Sequence, residues 1–520
     1  MPGAGRTDLW NSLWGFWYGG AALREGRLPW RTELLGWPDG GVLLPADPVN
    51  LILAAPLTWS VGVAAAYGLL VLGHLTFSGV AAHLLAREVQ GADRAGWVAG
   101  VGWMCAPVMI SAAQNGTSEA LAGGWLAMAA LALLRAAREE RWAAMRWARA
   151  GLWLALATAA SWYMGGCGWL LLAAIALVGV EGARRGDVLR RLAAAGALAL
   201  VLTAPLAAVT HAAATHESNL VGIKHEKELD TVRRSTGAAD PRGWFMAGDW
   251  RSPDFRETSA YGEEFIHCHY LGFTLIIGAA FTRRRRSSAA LGLAGLAGFA
   301  LAHGPVVVLD AGPLILDGRL AVPMPYFLVE DLPGFSSLSL VFRLGAAPAL
   351  AAAVLAGGAA LHGPRWVPAL AAAVVVAELR LIAPTAGLPE HEPAAIASGV
   401  MALAALPEGA VMNAPLAGGR PYLYEQTSHG RPIAGTLNFP ANEAAQDVWR
   451  ALLDPRRPAA NRARRAARVA REAHIRYLVV HDDPIHRPDR HDEAVESLRR
   501  VSPPIIAEDG VEVFDLWQAK

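Results

Sequence analysis

Five arginine-rich connections punctuate the first two-thirds of this chain, and the connections between them carry no such run. The basic ones are Arg87 to Arg94, Arg135 to Arg149, Arg184 to Arg191, Arg283 to Arg286 and His362 to Arg365. The segments separating them are apolar and roughly 17–25 residues long, the length that crosses a bilayer core. Lys and Arg in short connections stay on the cytoplasmic side of a membrane. Every second connection is therefore cytoplasmic, and 114–118, 160–165, 211–269 and 304–338 face outward. A soluble chain has no reason to keep this rhythm.

Composition agrees. Charged residues make up 18% of the 520-residue chain, hydrophobic ones 54%, and mean hydropathy is +0.29. Soluble chains carry about 25% charged residues. The deficit falls within 48–383, so the apolar excess faces lipid. A net charge of +1 offers nucleic acid no electrostatic footprint. Cys105, Cys167 and Cys268 are scattered and give neither a disulfide framework nor a metal spacing.

Length and polarity place spans at about 62–87, 95–113, 118–137, 148–160, 163–181, 190–210, 268–282, 287–303, 341–361 and 365–383. The expected fold is mainly α: a polytopic transmembrane bundle of about ten helices over 61–383, with a long outer loop at 211–269. Pro107 and Pro205 fall inside spans, which membrane helices tolerate. Residues 384–520 are polar and read as a small soluble α/β domain, extracytoplasmic by parity. Its strands are expected from Val411, at Arg476 to His481 and at Val511 to Leu516, and its helices at 443–453 and 460–473. Residues 1–60 read as an outer acidic loop in which 9–23 forms an amphipathic interfacial helix. Parity places this loop outside, so either the N-terminus is translocated unaided or, the favoured expectation, the natural chain begins upstream with one more helix.

The order of several short motifs resembles a known family. Thr7-Asp8 opens the first outer loop before a Trp-rich stretch. Gly26-Arg27-Leu28-Pro29-Trp30, Trp37-Pro38-Asp39-Gly40 and Asp47-Pro48-Val49-Asn50 follow. Later come Tyr270-Leu271-Gly272, Pro325-Tyr326, Leu332-Pro333-Gly334-Phe335, Phe342-Arg343, and Tyr424 through Pro432. The sequence is similar to the GT-C superfamily of multi-pass glycosyltransferases, and within it to bacterial YfhO-like members. The resemblance implies a polyprenyl-phosphate-linked sugar as donor and chemistry at the outer surface of a bacterial inner membrane. It further implies an outer-loop carboxylate acting as base or metal ligand. The soluble C-terminal domain would stand over the site, with a cell-envelope glycan or lipid as acceptor. The cofactor stays open, with a divalent metal as one option.

Such a reaction needs a base for the acceptor hydroxyl and cations for the phosphate leaving group. Asp8 is the base candidate, or a cap for the helix it precedes. Asp47 reads as a turn or cap residue or a substrate contact, and Asp39 as a turn residue. Glu119 follows Ser118 at a helix start, either as a favourable first-turn charge or as a second acid facing the site. Arg343 ends an apolar helix, where a charge must be paired, snorkel or meet phosphate. Lys224, Arg251, His267 and His269 in the long outer loop are further phosphate-binding candidates. No zinc-protease spacing is present, and no metal ligand is assigned. Tyr424, Gln426 and His429 either contact an acceptor glycan or pack the small domain. A lipid-linked-sugar flippase and an inactive scaffold are the competing readings. Spans nearly free of charge, with His74 the main polar exception, argue against translocation.

Overall fold

The computed structural model describes residues 1–3, 7–43, 47–138, 144–179, 185–216, 220, 237–246, 268–282, 285–309, 312–317, 320–332, 334–336, 338–382, 391–416, 420–437, 442–482 and 491–518. Lys224, Arg251 and His267 lie outside these residues.

Two helices precede the bundle: α1 (Leu9–Arg24) and α2 (Pro48–Val61). The bundle follows as α3 (Val63–Gln90), α4 (Asp93–Met104), α5 (Pro107–Gln114), α6 (Gly123–Arg138), α7 (Ala144–Ala160), α8 (Trp162–Val178) and α9 (Arg185–Ala214). It closes with α10 (Phe273–Ala280), α11 (Arg286–Ala302), α12 (Ala346–Ala359) and α13 (Val367–Ile382). Five helical stretches are long and apolar enough to cross a membrane: 63–90, 93–114, 118–138, 185–214 and 341–362. The chain is a multi-pass membrane protein.

Local chemistry sets the interruptions. Pro107 cannot donate a hydrogen bond to the preceding turn, so the span expected at 95–113 is split into α4 and α5. Gly91, at φ +74, ends α3 in the left-handed conformation. The span expected at 268–282 is helical only over Phe273–Ala280, about 12 Å of rise. Its start is held from outside, because Glu378 of α13 accepts the backbone N–H of Thr274 at 2.9 Å. Close helix crossings rely on small residues. A Cβ on Gly100 would lie 2.8 Å from the carbonyl oxygen of Gly79, so α3 and α4 meet backbone to backbone.

The two ends of the bundle differ in charge. At one end Glu88 of α3 pairs with Arg135 at 2.9 Å and Arg138 at 2.7 Å on α6, and Arg138 donates to Ser287 of α11 at 2.8 Å. Three connections that sequence parity puts on one side therefore meet in space. The opposite end carries carboxylates and the C-terminal domain.

That domain is α/β. Strands β1 (Ala410–Ala414), β2 (Ile475–His481), β3 (Ile506–Glu508) and β4 (Val511–Asp515) form a sheet in the order β1-β2-β4-β3. The β1 and β2 pair is parallel and the rest antiparallel. Met412, Leu478, Val480 and Phe514 pack against α15 (Glu443–Leu453), α16 (Ala459–Glu472) and α17 (His491–Arg499). Val411, Tyr477, Val479 and Val513 join the core that is continuous with the bundle. The period-2 alternation of strand side chains thus feeds two cores.

Two findings correct the sequence expectations. The helix at 9–23 is not one-sided. Leu9, Trp10, Leu13, Trp14, Phe16 and Tyr18 are all buried, and α1 is clasped between the bundle and α14 (Pro421–His429). The tail motif, read as an acceptor contact or as packing, is structural at its centre. Gln426 is fully buried: Trp14 Nε1 donates to its Oε1 at 2.6 Å, and its Nε2 donates to the carbonyls of Leu34 at 2.7 Å and Arg431 at 2.8 Å. It links the domain to α1 through Trp14 and to the segment after α1 through Leu34, and braces its own domain through Arg431. Backbone bonds extend the clasp, from Ile433 N–H to Leu34 and from Gly36 N–H to Gly435.

Gln426→Ala would orphan the Trp14 N–H and the Arg431 carbonyl, each worth about 1–3 kcal/mol when buried without a partner. The expected outcome is a clear loss of melting temperature together with protease release of a fragment beginning near residue 384. A variant that melts like wild type and resists protease would show that the clasp does not hold the domain.

Candidate active site

Three carboxylates from three separate segments meet beneath the C-terminal domain. Asp8 immediately precedes α1, and its position is set by the connection after α5. Its N–H donates to the Asn115 carbonyl at 3.1 Å, and Ser12 Oγ donates to the Gly116 carbonyl at 2.7 Å. Gly116 sits at φ +66, and a Cβ there would fall 2.3 Å from the Leu9 nitrogen. Only glycine permits that approach.

Although Asp8 stands at the helix N-terminus, its side chain makes no capping bond. It turns instead to Arg420, whose Nη1 donates to Asp8 Oδ1 at 2.9 Å, and Asn11 Nδ2 donates to the same oxygen at 3.1 Å. Among the described residues, the second oxygen, Oδ2, accepts no hydrogen bond.

Asp47 does cap its helix. Its Oδ1 accepts the Asn50 N–H at 3.3 Å, and its Oδ2 accepts Asn50 Nδ2 at 2.8 Å and Ser118 Oγ at 2.6 Å. Ser118 uses its hydroxyl to tie α2 to the short 3-10 turn Ser118–Leu121. That turn carries Glu119, which accepts Arg343 Nη1 at 2.7 Å. Arg343 lies in the 3-10 turn Val341–Gly345 ahead of α12, with its guanidinium carbon 5.3 Å from the Tyr163 ring centroid. Arg343 is thus paired, one of the options open in the sequence. Its other guanidinium N–H groups make no hydrogen bond among the described residues.

The arginines lie behind the carboxylates. Arg343 and Arg420 are 8% exposed, against 24% for Glu119 and 30% for Asp8. Burial pushes the Asp8 carboxyl above the usual range while Arg420 pulls it down, and the Glu119 charge adds to the rise. Burial pushes Asp47 up to about 7, against the hydrogen bond from Ser118. Burial thus makes Asp8 and Asp47 hold their protons more readily than exposed carboxylates do.

Other candidates fall elsewhere. His269 is buried; its Nε2 lies 2.8 Å from the Asp240 carbonyl and its ring meets Trp244 edge-on at 4.8 Å. Burial pulls it down to about 4, so it is neutral and unsuited to holding phosphate by charge. Tyr424 donates to the Ala394 carbonyl at 2.9 Å and packs on Trp10, and His429 Nδ1 accepts the Arg431 N–H at 3.1 Å. Both serve packing here. Among the described residues no group of three His, Cys, Asp or Glu side chains could hold a metal ion. Each of the three carboxylates accepts from a cation, hydroxyl or amide.

Arg420 escaped the sequence reading, although it left a sign. A cation at a helix N-terminus is unfavourable alone, and Pro421 marks that terminus, so an anion opposite was to be expected.

No protein-family model matches the sequence, and no curated protein matches it. Solved structures do. The archaeal oligosaccharyltransferase AglB from Archaeoglobus fulgidus, solved with an inhibitory peptide and a dolichol-phosphate, superposes with a TM-score of 0.52 at 12% identity, over 92% of this chain and 66% of that one. The mycobacterial arabinofuranosyltransferase AftD superposes with a TM-score of 0.52 at 16% identity, over 96% of this chain and 38% of that one. The chain thus spans less than two-thirds of the length of either. The chain shares the fold of these two structures.

The Glu119–Arg343 pair is testable as a unit. Removing one member of a buried pair strands the other, at about 3–5 kcal/mol when burial is complete. Arg343→Met is expected to lose most of that, and Arg343→Met with Glu119→Gln to recover a large part of it. Additive losses in thermal unfolding would show the two charges to be independent.

Proposed function

We propose that this protein is an integral membrane glycosyltransferase of the bacterial inner membrane. It moves a sugar from a polyprenyl-phosphate carrier to an extracytoplasmic acceptor, a cell-envelope glycan or lipid, with the C-terminal domain outside. The observation that carries this reading is the convergence of Asp8, Asp47 and Glu119 with two buried arginines at the end of the bundle opposite the Glu88–Arg135–Arg138 cluster. The fold supports it, and so does the dolichol-phosphate on AglB.

In this reading the acceptor hydroxyl attacks the anomeric carbon. The bond from that carbon to the phosphate oxygen breaks, and the polyprenyl phosphate leaves with the electron pair. Asp8 Oδ2 takes the hydroxyl proton. Arg420 and Asn11 fix the carboxylate through its other oxygen, so the basic lone pair is aimed without being covered. Arg343 supplies its remaining donors to the leaving phosphate, whose oxygens match a guanidinium fork. Asp47 orders the turn that holds Glu119.

Two outcomes check this. Purified wild type should consume a polyprenyl-phosphate sugar in the presence of envelope extract, and Asp8→Asn should lose about 10²–10⁴-fold in turnover. Equal turnover by the variant would remove Asp8 from the chemistry. The pH profile gives a second check. Only ionised Asp8 is a base, and burial raises its titration, so kcat/KM should climb through a limb above the ordinary carboxylate range. Arg420 pulls that titration down, so Arg420→Gln should move the limb to higher pH. An unmoved limb would mean that another group sets it.

A further inference from the structure

Tyr67 is a polar side chain near the carboxylates that the mechanism above leaves unused. It lies one turn into α3, four residues after Val63, and is fully buried. Its hydroxyl makes no hydrogen bond among the described residues. The ring packs near Phe16 of α1, with centroids 6.3 Å apart. The hydroxyl is within electrostatic reach of both Glu119 and Asp8. A buried hydroxyl without a partner is costly, and more so where no water competes.

Two further observations point the same way. Asn50, which holds Asp47 and the Ser118 carbonyl through Nδ2, leaves its Oδ1 buried and without a partner. On the same face of α3, at seven and eleven residues beyond Tyr67, His74 and Ser78 are also buried without partners. A bundle wall that was only packing would not gather these groups along one line leading to the carboxylates.

We propose that Tyr67 is a donor-binding residue: its O–H donates to an oxygen of the bound glycosyl phosphate. Both sugar hydroxyls and phosphate oxygens present that chemistry. The inference rests on the transferase reading above and names a contact of its donor.

The test uses detergent-purified full chain, wild type and Tyr67→Phe, which removes one oxygen and leaves the ring. Undecaprenyl phosphate, bare and carrying each of a panel of sugars, is titrated while the rise in melting temperature is followed. The variant without ligand should melt at or above the wild-type temperature, because it loses an unpaired buried hydroxyl. It should bind the glycosylated carrier roughly ten-fold more weakly, the loss of one buried hydrogen bond. The same loss with the bare carrier places the contact on phosphate, and a loss confined to the glycosylated carrier places it on the sugar. Equal binding by variant and wild type would overturn the role of Tyr67 and leave the transferase reading standing. A variant that melts lower without ligand would show a structural hydrogen bond and overturn it too. Absence of binding by wild type to every carrier would instead strike the transferase reading, and this inference with it.

Discussion

The Asp8–Arg420 ion pair joins positions 412 residues apart, and the site depends on it. Asp8 sits at the edge of an apolar bundle, where an unpaired charge is expensive. Arg420 sits at the start of a helix that repels cations. Each is acceptable because the other is there. The pair brings the C-terminal domain down over the first helix, and the Gln426 clasp with the Leu34–Gly36 backbone bonds keeps it there. The site is therefore a property of the closed chain and not of any one segment.

A second constraint sets its chemistry. The bundle separates charge by end, with arginines balancing Glu88 at one and carboxylates gathered at the other. At the carboxylate end the cations lie deeper than the anions. In the proposed reading, a base facing outward with phosphate-matching cations behind it suits attack by an acceptor on a lipid-anchored donor. A translocating site would place its ionisable groups nearer the midplane, where this chain has His74 on α3.

Much of the fold was legible because membrane physics writes it coarsely. Apolar length and arginine parity placed the spans, and strand alternation placed β2 and β4. Where local backbone chemistry intervened, the sequence was read less well: Pro107 splits a span, and α10 starts only at Gly272. The helix at 9–23 reads as an amphipathic interfacial one, yet α14 packs over Trp10 and Trp14. Nothing local in 9–23 could have shown that, since the partner lies some four hundred residues on.

The site divides in the same way. Asp8, Asp47 and Glu119 could be picked out because acidic residues are rare near spans and each opens a helix or turn. That the three meet could not be read, because it depends on Gly116 admitting Leu9 and on Ser118 reaching across to Asp47. Arg420 and Tyr67 were missed for opposite reasons. Arg420 is one arginine among many in a polar tail, and Tyr67 is one aromatic in an apolar helix. Both gain meaning only from what they face. The most direct test of the whole account is the structure of Asp8→Asn in lipid with a polyprenyl-phosphate sugar bound. The account predicts the phosphate against Arg343, the sugar between Glu119 and Tyr67, and the anomeric carbon open toward residue 8. A carrier bound elsewhere on the bundle, with this cluster unchanged from the free protein, would contradict it.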